Sequence, residues 1–263
     1  MDRRLLLGGA LAALVVLSGC SWVQQTDTPT PAAGPTEDGT TVPTFRLENH
    51  SRALANTSYA VEMRINVSTN RTRLNRSFAV RSDRGTARQL IELQEGPLRA
   101  DRYVANGSIY TRSRVDGSVA YDNRSLGSGN DTFDAIHRRS VSADRLAGIY
   151  QFGEFNESGT VTREGRTLTE YELVETAIGD NATVDSASGR VRIDEAGVIR
   201  LARVDITGTQ DGDPFFVHAD YRVTATEAVT VGQPDWLDAA RRNATANRSR
   251  ATPTATATAT PSD

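Results

Sequence analysis

YAVEMRINV, residues 59–67, puts Tyr59, Val61, Met63, Ile65 and Val67 on one side of an extended chain and Ala60, Glu62, Arg64 and Asn66 on the other. Successive strand side chains point to opposite faces, so this alternation marks a strand with one face buried and one in solvent, the habit of antiparallel sheets. FFVHADYRVTA, from Phe215, repeats it: Phe215, Val217, Ala219, Tyr221 and Val223 oppose Phe216, His218, Asp220 and Arg222.

Outward from these two stretches, shorter strands are expected at Phe78–Arg81, Ala87–Leu93, Tyr103–Ala105, Ser108–Thr111, Leu168–Val174, Arg190–Ile193 and Val198–Thr207. Turn residues separate them at Asn106-Gly107, Asp116-Gly117, Glu164-Gly165, Glu195-Ala196-Gly197 and Asp211-Gly212. Such pairs favour tight hairpins, so the expected fold is mainly β, a meandering antiparallel sheet. Helical spacing occurs in PTFRLENHSRALA, where Phe45, Leu47, His50 and Leu54 share a stripe, and in SADRLAGIY, where Ser142 can cap and Leu146, Ile149 and Tyr150 converge. A last turn is expected after Pro234. These two or three short helices are the natural cover for a sheet with one apolar face.

The ends of the chain have a different composition. MDRRLLLGGALAALVVLSGC carries Arg3 and Arg4, an apolar run from Leu5 to Leu17, then Ser18-Gly19-Cys20. Charged, apolar and small residues in that order read as a secretory signal, and the apolar part is shorter than the ~20 residues that span a bilayer. Cys20 is the single cysteine, so it can make neither an internal disulfide nor a paired-thiolate metal site. Leu17-Ser18-Gly19-Cys20 resembles a lipobox, which implies a lipid on the Cys20 sulfur and a new N-terminus there; a plain signal peptide with an incidental cysteine is the alternative. Arg3 and Arg4 also resemble a twin-arginine export signal, although Asp2 stands where that signal usually has Ser or Thr.

The expected domain plan is thus a signal peptide over 1–19, a lipidated cysteine and disordered spacer over 20–44, one β-rich domain over 45–242, and a disordered Thr/Ala/Pro-rich tail over 243–263. The localisation that follows is the cell membrane, lipid-anchored on its extracytoplasmic face. Sequons at Asn49, Asn56, Asn66, Asn70, Asn75, Asn106, Asn123, Asn130, Asn156, Asn181, Asn243 and Asn247 are candidate N-glycosylation sites and agree with an extracellular address.

The formal net charge is -3 over 263 residues, without a dominant basic patch, so nucleic acid is not an expected partner. All the long basic side chains are arginine, with no lysine in the chain. A lysine-based phosphate loop is therefore impossible, no G-x-S-x-G elbow occurs, and His50, His137 and His218 lack metal-ligand spacing. His50, in a helix among apolar residues, reads as a packed or capping histidine. Asp211 and Asp213 in DGDP read as a hairpin turn, because the ligand order of a calcium loop is missing. Asp194 and Glu195 have no partner carboxylate nearby in sequence for acid–base work. No catalytic residue, metal or cofactor is expected.

LENHSRALANTSYAVEMRINVS, ANGSIYTR, SADRLAGIYQFGEFNESGTVTREGRTLTEYELV, GRVRIDEAGVIRLARVDIT and QPDWLDAA, taken in order, resemble a family of uncharacterised haloarchaeal lipoproteins over most of 45–242. The order of elements also resembles the LolA/LppX type of lipoprotein carrier. That second resemblance implies a curled antiparallel sheet, an open half-barrel, with helices against its concave face and acyl chains held between. Tyr59, Val61, Met63, Ile65, Phe215, Val217 and Tyr221 are then the candidate lining of an apolar cavity for a lipid; the same residues would equally make an ordinary filled core. The expected partners are the membrane, through Cys20, with either a lipid ligand or another surface protein. Replacing Cys20 by Ser is expected to move the folded protein from the membrane pellet to the soluble fraction, and retention of that variant in the pellet would refute lipid anchoring.

Overall fold

The computed structural model describes residues 47–69, 72–141, 143–178 and 181–243. The signal segment with Arg3, Arg4 and Cys20, the spacer, Phe45, the sequons at Asn70 and Asn247, the proposed cap Ser142 and the tail beyond 243 lie outside them. The elements are α1 (Leu47–Ala55), β1 (Tyr59–Ser68), β2 (Arg73–Asp83), β3 (Arg88–Glu95), β4 (Leu98–Ala105), β5 (Ser108–Val115), β6 (Ser118–Ser125), α2 (Phe133–Arg139), α3 (Ala143–Tyr150), β7 (Gly153–Arg163), β8 (Arg166–Thr176), β9 (Ala182–Asp194), β10 (Ile199–Gln210) and β11 (Asp213–Thr226). Residues 237–243 form a final short helix.

All eleven strands belong to one antiparallel, curled and unclosed sheet in the order β6-β5-β4-β3-β2-β1-β11-β10-β9-β8-β7. The chain lays down β1 to β6 as one meander outward from the centre. It then crosses to the opposite edge through α2 and α3 and returns inward from β7 to β11. The two meanders meet where β1 pairs with β11, in a register that sets Val61 opposite Val223, Met63 opposite Tyr221, Ile65 opposite Ala219 and Val67 opposite Val217. The two stretches with the strongest alternation are thus central neighbours with their apolar faces aligned.

Tight turns make this meander possible. At Asp211-Gly212 both central residues have positive φ, 55° and 86°, the type I′ geometry whose twist matches that of the flanking strands. Asn106-Gly107, Asp116-Gly117 and Glu164-Gly165 follow the same pattern. DGDP is accordingly a hairpin turn between β10 and β11.

One face of the sheet carries the core. Leu54 from α1 and Leu146 and Ile149 from α3 pack with Tyr59, Val61, Met63, Phe78, Val80, Val191, Val204, Ile206, Val217 and Tyr221 in one cluster. We call this the inner face. A second cluster lies on the outer face, where the C-terminal segment folds back and Val231, Trp236, Leu237 and Ala240 cover Tyr103, Ala105 and Tyr110. The turn expected after Pro234 supplies this packing, and the Arg112 guanidinium sits 5.2 Å from the Trp236 ring.

Three elements were not legible as such. β6 (SVAYDNRS) and β7 (GEFNESGTVTR) are edge strands, polar on both sides and mostly exposed, so they lack the alternation that marks a half-buried strand. α2 has only seven residues, too few to show helical period; Thr132 caps it by accepting from the Ala135 N–H at 3.2 Å.

Two aromatic rings on the inner face rest on glycines. A Cβ at Gly208 would stand 2.2 Å from the Thr183 carbonyl oxygen and 2.9 Å from the Phe215 ring; at Gly189 it would stand 2.8 Å from Leu173 Cβ and 2.9 Å from the Phe155 ring. Since a backbone oxygen cannot swing aside as a side chain can, Gly208→Ala should cost at least ~1–3 kcal/mol, the usual range for overpacking. The expected result is a lower chemical-denaturation midpoint with an unchanged m-value.

Candidate functional site

The inner face is closed at one end by two buried histidines. α1 places His50 with no solvent exposure. Its Nδ1 accepts the Ile199 backbone N–H at 3.1 Å, so the proton resides on Nε2, which donates to Tyr221 Oη at 3.0 Å. The helix is thereby tied to β10 and β11 at once. Burial pushes the His50 pKa down to about 4; Arg200 acts in the same direction and Asp194 opposes.

α2 is held in a similar way to β1, β2 and β3. Tyr59 Oη donates to the His137 carbonyl at 2.5 Å, and Ser82 Oγ lies 2.7 Å from His137 Nδ1. Gln89 Nε2 donates to Ser82 Oγ at 3.2 Å, so the serine hydroxyl is free to donate to the imidazole. Burial again lowers the histidine pKa, with the carbonyls of Leu54 and Thr57 opposing. Tyr59, Ser82, Gln89 and His137 are each almost fully buried, so this is a structural latch closed to solvent. α3 lies against β10 and β11.

Of the seven residues expected to line a cavity, Tyr59, Val61, Met63, Phe215, Val217 and Tyr221 are buried and Ile65 is half-buried. All belong to the inner-face cluster or pack against it. Away from the latched end, the apolar surface continues as half-buried side chains: Ile65 and Val67 on β1, Ile91 and Leu93 on β3, Leu173 on β8 and Val184 on β9. A cavity of about 280 Å³ opens on the outer face instead, lined by polar side chains such as Glu62, Arg64, Glu92 and Asp101, and it is not an apolar hollow.

The third histidine, His218, is on the outer face with Nδ1 2.6 Å from Asp205 Oδ1. Asp194 is taken up by Arg200 at 2.6 Å and by the Val198 N–H. No group of three or more His, Cys, Asp or Glu among the described residues could hold a metal ion. The sequon asparagines in strands, Asn66, Asn75, Asn123 and Asn156, fall on the outer face or at its edge, opposite the apolar set. The two histidine latches were out of reach of sequence reasoning, because their partners come from five strands whose register had to be known first.

The latches generate a pH dependence. His50 is depressed in the folded chain and ordinary, near 6.5, in the unfolded one. Its neutral-state stability is therefore complete above pH ~6.5, falls as pH drops toward about 4, and is fully lost below that, a difference of about 3 kcal/mol. Denaturation midpoints measured between pH 7 and 4.5 should fall steeply for the native protein. They should fall less for His50→Asn, which keeps an acceptor for the Ile199 N–H but cannot titrate.

Among solved structures, the chain is similar to LprF from Mycobacterium bovis, with 13% identity over 75% of this chain and 99% of that one and a TM-score of 0.32. It is similar also to the lipoprotein LppX from Mycobacterium tuberculosis, with 10% identity over 66% and 92% of the two chains and a TM-score of 0.24. The MucA/MucB complex from Pseudomonas aeruginosa matches with 9% identity over 72% of this chain and 57% of that one, at a TM-score of 0.27. No curated protein matches the sequence. The match that extends along the chain is to a family, over residues 6–240, and on that extent the protein belongs to the family of unknown function DUF7537.

Proposed function

We propose that this protein is a non-catalytic, extracytoplasmic lipoprotein, anchored through Cys20, that binds an apolar or lipid ligand between the curled sheet and its helices. The observation that carries this reading is the asymmetry of the inner face. One end is sealed by α1 and α2 through hydrogen-bonded histidines, whereas the apolar surface of β1, β3, β8 and β9 continues past that seal as half-buried Ile65, Val67, Ile91, Leu93, Leu173 and Val184. Contiguous apolar surface left half in water is what an acyl chain would cover, at roughly 0.8 kcal/mol per buried CH₂. Sequence supplies the address: a signal-like N-terminus that ends in Leu-Ser-Gly-Cys, and a Thr/Pro-rich leash long enough to hold the domain off a bilayer.

A second reading rests on a different observation. Tyr59, Val61, Ile206 and Ala219 have 1% exposure or less, so the centre of the inner face is as tightly filled as an ordinary core. A structural or interaction lipoprotein with a fully packed core would look the same there and would take another surface protein as its partner.

Native mass spectrometry of the full chain, purified from its own host, followed by lipid extraction, separates the two. Ligand binding predicts a near-stoichiometric mass excess, beyond the anchor and glycans, that extracts as one lipid class. Ile65→Glu, which charges a half-buried position, should abolish that excess while far-UV circular dichroism stays unchanged. A mass without excess in the native protein would refute the ligand and favour the packed domain.

A further inference from the structure

The inner face changes character along a single row. From β11 to β6, the cross-strand neighbours run Val223, Val61, Val80, Ile91, Arg102, Thr111, Asp122. The apolar surface therefore ends at a guanidinium. Arg102 is half-buried beside Val104, which α2 covers through Ile136, and it makes no hydrogen bond or ion pair among the described residues. Two more arginines converge on it. Arg124 reaches the same face from β6, and Arg139 comes from the last turn of α2. Both act on Arg102 electrostatically: burial first, then Arg124 and Arg139, press its pKa below the ordinary arginine value, and Asp131 opposes.

The local charge is not balanced. Asp131 is engaged by Arg124 at 2.9 Å, and among the described residues Arg139 Nη2 donates to the neutral carbonyl of Asn130, at 2.6 Å. Asp122 shares the row but stands two strands from Arg102, across Thr111. A partly desolvated guanidinium facing two like charges is costly to keep, and an oxyanion bound in fork geometry offsets that cost.

We infer that Arg102, with Arg124 and Arg139, receives the anionic head group, phosphate or a similar oxyanion, of an amphiphile whose tail lies on the neighbouring apolar surface of β1 to β3. The inference rests on the apolar-ligand reading and names the class of ligand: a single- or multi-chain anionic lipid. The sequence of contacts explains the choice. The head group sits at the β4–β6 wing, and the tail follows half-buried Ile91 and Leu93 along β3, because Val80 and Val61, next in the row, are already covered by the core.

The test is equilibrium dialysis of the full chain, at the salt concentration of its host, against dodecyl phosphate, dodecyl maltoside and methyl phosphate below their micellar limits. Dodecyl phosphate should bind about tenfold or more tightly than the maltoside, the worth of charge-assisted hydrogen bonds in a sheltered site. Arg102→Gln should bring the two within about twofold by weakening the phosphate alone. Where that variant fails to fold, as judged by circular dichroism, Arg139→Gln at the exposed helix end replaces it and should reduce the preference at least threefold.

Equal binding of the two dodecyl amphiphiles by the native chain, or a preference that survives the arginine substitutions, overturns the head-group site and leaves the apolar-ligand reading intact. Methyl phosphate binding as tightly as dodecyl phosphate also overturns it, because the anion would then bind without the tail. If neither dodecyl amphiphile binds, both readings fall together.

Discussion

Everything in this fold depends on β1 finding β11. The two strands are at opposite ends of the domain in sequence, and no tight turn delivers one to the other. Their pairing rests on register: Val61, Met63, Ile65 and Val67 meet Val223, Tyr221, Ala219 and Val217 on the inner face, while Glu62 and Arg64 meet Arg222 and Asp220 on the outer. A slip of one residue would turn the apolar set of one strand to the solvent face of the other, so the correct register is strongly favoured. Each meander can form locally through its hairpins, but neither has a closed core until the centre is zipped. Pairing over such a separation carries a large loop-closure entropy, which places this chain among the slow-folding topologies. Export through a route that accepts folded proteins, the expectation attached to Arg3 and Arg4, would suit a domain of that kind.

Each of the two latched helices is tied to one of the meanders that this pairing joins. His50 bonds at once to Ile199 on β10 and Tyr221 on β11, and His137 to Ser82 on β2 while its carbonyl takes the Tyr59 hydroxyl on β1. The two latches therefore span both meanders. Burying hydrogen-bonded imidazoles, His50 through both ring nitrogens and His137 through Nδ1, fixes the helices at one end of the sheet and leaves the rest of the inner face to side-chain packing alone. The apolar surface is continuous because the central strands are buried; it turns cationic on β4 and β6 because that wing lies beyond the main cluster, where arginines can keep partial contact with water.

The legible parts of the sequence were those where a single strand carries its own signal. β1 and β11 alternate so regularly that their faces follow from the residues, and the X-Gly turns place most hairpins. β6 and β7 were hidden because an edge strand has no buried side to write into its sequence, and α2 because seven residues complete barely two turns. Arg102 was invisible for another reason: nothing in LRADRYVA distinguishes it from Arg99, and only the register of four strands shows that one faces the core and the other the solvent. The candidate lining of Tyr59, Val61, Met63, Ile65, Phe215, Val217 and Tyr221 was readable as a face. Whether that face is filled by its own side chains or by a ligand is a matter of volume, which alternation does not encode.

The same period of two governs where sugars could attach. Within a strand the inner positions are taken by apolar residues, so a sequon asparagine falls on the alternate set: Asn66 and Asn75 are direct cross-strand partners on the outer face, Asn123 lies opposite Tyr110 on that face, and Asn156 follows the buried Phe155. Asn106 is in a hairpin turn and Asn130 in the short turn of 3-10 helix before α2. A glycan on any of these strand positions would project away from the helices and the apolar surface. The alternation that builds the core thus also directs the strand sequons to the side of the sheet opposite that core.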